Sequence, residues 1–241
     1  MEDEEQAVVS AGRLEQRVTA GTSRRIDLHS APFAVRIIYP FQRSSIRMTY
    51  PVILVTVTRR DAARNWQHIV DTGRTFLDEG RPLRLNEVAR EAAIGVATVY
   101  RHFPTAEALL ETLARPGLEK LVREAEAALR GDDAWAAFAG FLVAGIDAQL
   151  ADPALQPIFA ATTHELPETA ELVARLDALT GELLAWAHTA GRIRPHVQRA
   201  DVVRLMCGVV FAATVHAAPG ERPGLTRRYL DVVLEGLAVR A

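Results

Sequence analysis

A single cysteine, Cys207, excludes a disulfide within the chain and points to a reducing cytosol. Serine is absent after Ser45, which excludes a Ser-His-Asp triad in the rest of the chain. No Cys-x-x-Cys, His-Glu-x-x-His, Gly-x-Gly-x-x-Gly or phosphate-loop pattern occurs. His164, His188, His196 and His216 are not spaced at i,i+3 or i,i+4, so no metal and no cofactor is expected. His164-Glu165 could do acid–base work, but such a pair at a helix end reads as surface. No apolar run approaches the roughly 20 residues that span a bilayer. The opening, Met1-Glu2-Asp3-Glu4-Glu5, is acidic and lacks the basic-then-apolar order of a signal peptide. The expectation is a cytoplasmic protein with no membrane partner. Net charge is only −2, so any nucleic-acid binding must come from local charge. Lys120 is the single lysine, and this arginine bias points to a GC-rich bacterial genome.

What the chain has instead is helical period. Trp66, Ile69, Val70, Gly73, Phe76 and Leu77 repeat at i, i+3, i+4 and i+7, an amphipathic helix ending near Glu79-Gly80. Gly80-Arg81-Pro82 is a break. Leu85, Val88, Ala89 and Ala92 make a second, shorter helix, and Ala93 is a tight corner. Gly95 can cap a helix of about two turns, Val96–His102, before Pro104 stops it. Val99 and Phe103 share one face of it. Thr105 then reads as the N-cap of a further helix, with Glu107 in its first turn. Two turns are not stable alone, so the upstream helices must be a scaffold. The whole reads as a helix-turn-helix with Val96–His102 as recognition helix.

The candidate DNA contacts are Arg64, Arg84, Gly95, Val96, Ala97, Thr98, Tyr100, Arg101 and His102. Thr98 and Tyr100 are expected on phosphates, Val96 and Ala97 on thymine methyls, and Arg101 on guanine or phosphate. Arg74 and Arg81 read as solvated surface. Residues 59–115 hold nine arginines against eight acids, so charge must be sorted by face.

The segment "VAREAAIGVATVYRHFPTAEALLETL" resembles the tetracycline-repressor (TetR) family of bacterial transcriptional regulators, and the resemblance covers about residues 62–115. Two positions depart from the family pattern. Gly95-Val96 stands where Ser-Lys is common, and Ala106 stands where a lysine is common. Both remove polar or phosphate contacts. The resemblance implies a homodimeric repressor that leaves a palindromic operator on binding a small molecule. Independently, one short recognition helix buries too little surface for specific binding, so two heads are needed.

The rest is almost entirely helical in pattern, which makes the expected fold class all-α: a helix-turn-helix head and a larger helical body. Leu118 to Leu129, Trp135 to Leu150, Leu155 to Phe159, Leu172 to Trp186, residues 200–217 and Leu230 to Leu237 each carry apolar period. Asp152-Pro153 reads as a cap followed by a first-turn proline. The expected divisions are 1–58, a poorly structured or upstream-extended segment; 59–115, the DNA-binding domain; and 116–241, the ligand-binding and dimerisation domain. From Ala7 to Arg60, nine arginines face only Glu15 and Asp27, and residues 31–41 and 50–57 could be strands. A basic arm, a true start at Met48, and a small extra element all fit, Met48 being favoured for its closeness to the first helix.

In the body the candidate effector residues are Trp135, Phe138, Phe141, Phe159, His164, Trp186, His188 and Phe211, with His216, Thr162 and Thr163 as further anchors. The scarcity of central charge argues for a small apolar or aromatic effector. Residues 200–217 are apolar nearly all round, so every side must be covered. Val203, Val210, Leu230 and Leu234 are the expected homodimer contacts. Cys207, in this apolar stretch without an adjacent base, reads as inert core. A helical carrier or enzyme with a structural head, and a regulator answering to a protein partner, remain open alternatives.

Overall fold

Nine helices occur among the described residues, 59–218 and 220–239 of a computed structural model. They are α1 (Arg59–Asp78), α2 (Leu85–Glu91), α3 (Val96–His102), α4 (Ala106–Ala128), α5 (Ala134–Ala151), α6 (Leu155–Ala160), α7 (Pro167–Thr189), α8 (Arg199–Thr214) and α9 (Arg222–Leu237). The chain divides into two units, 1–64 and 65–241, and only the opening turns of α1 are described in the first. The strands expected at 31–41 and 50–57, and the three readings of residues 1–58, lie outside the described residues. The all-α expectation holds.

Most helix ends follow from local chemistry. The Ala108 N–H donates to Thr105 Oγ1 at 3.0 Å, capping α4. Asp133 Oδ1 accepts from Trp135 and Ala136 at 2.8 and 2.9 Å, capping α5. Those bonds, the one from Ala136 first, hold the Asp133 carboxyl below the usual carboxylate range. Pro167 is the first residue of α7. Gly80 and Gly191 close α1 and α7 at φ of 68° and 67°, a backbone that glycine enters without steric cost.

Two local expectations need correction. The helix read from Thr105 and the one read over Leu118 to Leu129 are one, because α4 runs on through Pro116-Gly117. Leu109, Leu113, Leu118 and Leu121 keep one continuous buried face on both sides of Pro116, and that packing outweighs the roughly 3 kcal/mol a helix-interior proline costs. At Gly117 a Cβ would meet the Leu155 side chain at 3.1 Å, so the glycine lets α6 approach α4 closely. Secondly, Asp152-Pro153 does not open α6, which begins at Leu155. Asp152 instead holds a turn, accepting the Ala154 N–H at 2.9 Å.

The core is continuous from head to body. Phe76, Val88 and Val99 pack into a cluster that passes through Leu109, Leu113 and Leu118 of α4 to Phe138, Leu142, Leu179 and Leu183. α5 is long and apolar enough by composition to cross a membrane, yet Phe138, Leu142 and Ile146 are buried in this interior. A second cluster, Ile146, Val209, Val210 and Leu230, joins α5, α8 and α9. The end of α9 is tied to the α7–α8 loop by an antiparallel bridge between Ile193 and Ala238. Its bonds run from Arg194 N–H to the Leu237 carbonyl and from Val239 N–H to the Arg192 carbonyl, both 3.0 Å.

Candidate functional site

The head is fixed by its turns. After α1, Gly80 allows the Arg81 N–H to reach the Phe76 carbonyl at 2.7 Å. Arg81 is not merely solvated. Its guanidinium bonds Glu79 at 2.9 Å and Glu91 at 2.7 Å and lies 3.6 Å from the centre of the Phe76 ring. It therefore ties the end of α1 to the end of α2. The hydrogen bonds to Glu91 and Glu79 raise its pKa well above the usual arginine value, and the Arg81 hydrogen bond lowers that of Glu91. Between α2 and α3 the corner residue Ala93 has φ of 52°, with the Ile94 N–H bonded to the Ala89 carbonyl at 2.9 Å.

This scaffold presents α3 with one side in and one side out. Val99 and Phe103 are buried, and Phe103 meets Trp66 at 6.2 Å between ring centres. Gly95, Ala97 and Arg101 are exposed, as are Val96 at 47% and Tyr100 at 44%. Thr98 and His102 are half-buried. Arg84 pairs with Glu87 at 3.1 Å and shares a groove with Tyr100. Arg64 is exposed on α1. Arg101 carries no ion pair among the described residues, which leaves its charge for an outside anion or base edge.

The body encloses a cavity of about 180 Å³ walled by α4, α5, α6, α7 and α8. Of the expected effector residues, Phe141 and Phe159 line it. The others are elsewhere. Phe138 is solid core, and Trp186 is half-buried against it. Trp135 faces an outer groove with Arg192 and Leu234. His188 Nε2 is 3.1 Å from the Arg194 carbonyl. Phe211 is 62% exposed. His164 is buried beside Glu111, with Nδ1 3.8 Å from Oε1. Glu111 in turn accepts the Glu165 and Leu166 N–H groups at 2.7 and 2.8 Å, so α4 holds the start of α7.

Sequence reasoning missed Gln149, Thr180, Met206 and Cys207 as lining residues. Gln149 carried a signal, being with Asp147 one of the two polar side chains in an α5 that is otherwise apolar. Cys207 lies on the wall rather than in the core, and burial pushes its thiol pKa up. Arg74 is likewise only partly solvated. It bonds Asp152 at 2.6 Å and the Leu113 carbonyl, linking α1 to the turn that leads into α6, a wall of the cavity.

The expected dimer contacts also need correction. Val210 is 1% exposed and Leu230 is 7% exposed, both packed in the α5–α8–α9 cluster of their own chain. Val203 lines the cavity, and Leu234 is half-buried against both clusters. The uncovered side of these helices carries Phe211, Val215 and Val232, with Gly208 and Gly236 open beside them. A uniformly apolar helix gives no pattern from which its outer face can be read.

A helix-turn-helix head with a free recognition face, joined by one continuous helix to a hollow all-α body, defines a DNA-binding transcriptional regulator. Residues 76–113 match the model described as bacterial regulatory proteins, tetR family, and residues 132–239 match the SbtR-like transcriptional regulator C-terminal domain. The chain belongs to the TetR family. It is 30% identical to a TetR transcription regulatory protein from Mycobacterium vanbaalenii, covering 75% of this chain and 99% of that one, at a TM-score of 0.43. The fold is shared with FadR from Bacillus subtilis, solved with stearoyl-CoA, at 15% identity and a TM-score of 0.54 over 71% of this chain and 99% of that one. It is similar to the ketosteroid regulator KstR2 of Mycobacterium tuberculosis, at 18% identity and 0.50 over 73% and 96%. No curated protein matches.

Proposed function

We propose that this regulator is a cytoplasmic homodimeric repressor that leaves a palindromic operator when a small, mainly apolar molecule fills the α4–α8 cavity. Residues 59–115 would form the DNA-binding head and 116–241 the ligand-binding and dimerisation body, with α4 common to both. Val96, Ala97, Tyr100 and Arg101 would meet the major groove, Thr98 and His102 its edge, and Arg64 and Arg84 the phosphate backbone. The observation that carries the reading is the Arg74–Asp152 ion pair, which joins a head helix to a cavity wall. A ligand that prefers a shifted α6 would bias the position of α1, and it acts only as far as it prefers that state. The exposed Phe211–Val215–Val232 face supports a second copy as the covering partner, because a patch of this kind marks an interaction surface.

The test is an electrophoretic shift with the DNA upstream of the protein's own gene across a salt series. Specific retardation that weakens with salt is expected. Retardation no stronger than on random DNA would sink the operator reading.

A further inference from the structure

The cavity is apolar but for a few groups, and those groups are unequal. Asp177 is half-exposed and paired with Arg199 at 3.2 Å, so its charge is met at the edge. The Thr180 hydroxyl donates to the Leu176 carbonyl at 2.8 Å. Gln149 differs. It is 4% exposed and its Nε2 donates to the Gly145 carbonyl at 3.2 Å, while its Oε1 has no hydrogen-bond partner among the described residues. Turning the amide over would set oxygen against the Gly145 carbonyl, so the neighbour fixes which atom is left free. A buried amide oxygen without a partner is rare in native interiors and calls for an explanation. Here Gln149 is one of the residues that line an otherwise apolar space.

We infer that the effector is a compact neutral molecule, about one ring in size, that donates a single hydrogen bond to Gln149 Oε1. The size follows from the cavity of about 180 Å³, close to the ~150 Å³ that takes up benzene in an engineered protein core. Phe141, Ile158, Phe159 and Leu176 supply apolar faces for the ring. Neutrality follows because a bare anion would face an amide oxygen, and a bare cation would find no unpaired carboxylate in the lining. Phenols and small ring alcohols are the chemical class. This inference rests on the proposed effector cavity and names what that cavity accepts.

The test uses full-chain protein and three probes: 4-ethylphenol, its near-isostere 4-ethyltoluene, and 4-ethylbenzoate. Binding is read by calorimetry and by protection of Cys207, the chain's one thiol and a lining residue, from N-ethylmaleimide. The expectation is that 4-ethylphenol binds and protects Cys207, and that 4-ethylbenzoate does neither. The phenol-to-toluene affinity ratio should fall by about fivefold to tenfold in Gln149→Leu, the loss of one neutral hydrogen bond. Gln149→Met serves the same comparison if the leucine variant does not fold. An unchanged ratio in the folded variant, no protection by 4-ethylphenol, or equal binding of the benzoate overturns the inference. Operator release is measured on the same samples. Gln149-dependent phenol binding without release would remove the regulatory reading and leave the ligand class standing.

Discussion

α3 and α8 each leave a side uncovered, and the two sides differ in kind. On α3, Val96, Ala97, Tyr100 and Arg101 mix methyl groups with a hydroxyl and an exposed guanidinium. On α8, the exposed stripe carries Arg204, Gly208 and Phe211, with Val215 at the C-cap, and Val232 of α9 is exposed as well. A mixed surface suits groove edges and phosphates, which are polar and charged. A surface centred on a large apolar side chain such as Phe211 suits another protein surface.

The largest expected effect separates neighbours on α8. Val210→Arg would bury an uncompensated charge, costing roughly 3–5 kcal/mol, and should unfold the body or drive it to aggregate. Phe211→Arg, one position along, should remain folded by circular dichroism and elute as a monomer with light scattering. A folded Val210→Arg protein, or a Phe211→Arg dimer, would break the assignment of inner and outer faces.

On α3 the expected effect is smaller and confined to DNA. Arg101→Ala should lower operator affinity by about 1–3 kcal/mol if Arg101 reads a base. If it meets phosphate, the loss should be uniform across sequences with a shallower salt slope. Fluorescence anisotropy with cognate and scrambled duplexes distinguishes the two. The melting temperature should not move, because Arg101 is exposed and makes no ion pair among the described residues.

Between the two faces lies the Arg74–Asp152 tie. Arg74→Ala should cost no more than about 1 kcal/mol of stability, since both side chains are partly solvated. It should reduce the coupling between effector and operator by about 0.5–2 kcal/mol while leaving effector affinity in the absence of DNA unchanged. Full release of operator by effector in this variant would remove the tie from the mechanism. The smallest effect is at the corner that aims α3. Ala93→Gly relieves a left-handed alanine and should raise stability by up to about 1 kcal/mol in urea titration.

Much of the head was legible because its signals are local. Gly80, Ala93, Pro104 and Thr105 each act within a few residues, and the period of α1 and α2 faces one way. What escaped depended on distance. Arg74 reads as surface until its partner is known, and that partner stands 78 positions later. The rotation of α8 escaped for the opposite reason, since apolar residues on every side carry no direction. The cavity was foreseen in its aromatic walls, Phe141 and Phe159, but not in its amide. Gln149 matters for an unsatisfied oxygen, and satisfaction is a property of packed neighbours.

α4, uninterrupted at Pro116, has a mechanical consequence. Its 23 residues make a rod about 34 Å long at ~1.5 Å per residue. The rod starts beside α3 and ends past the cavity wall at Leu121. Pivoting such a rod by about 5° sweeps its far end through about 3 Å, close to the ~3.4 Å rise of one base pair. A displacement of one base pair is enough to take a recognition helix out of step with its half-site. On the proposed reading, leverage of that size would let a guest no larger than a ring govern a protein–DNA interface many times its own area.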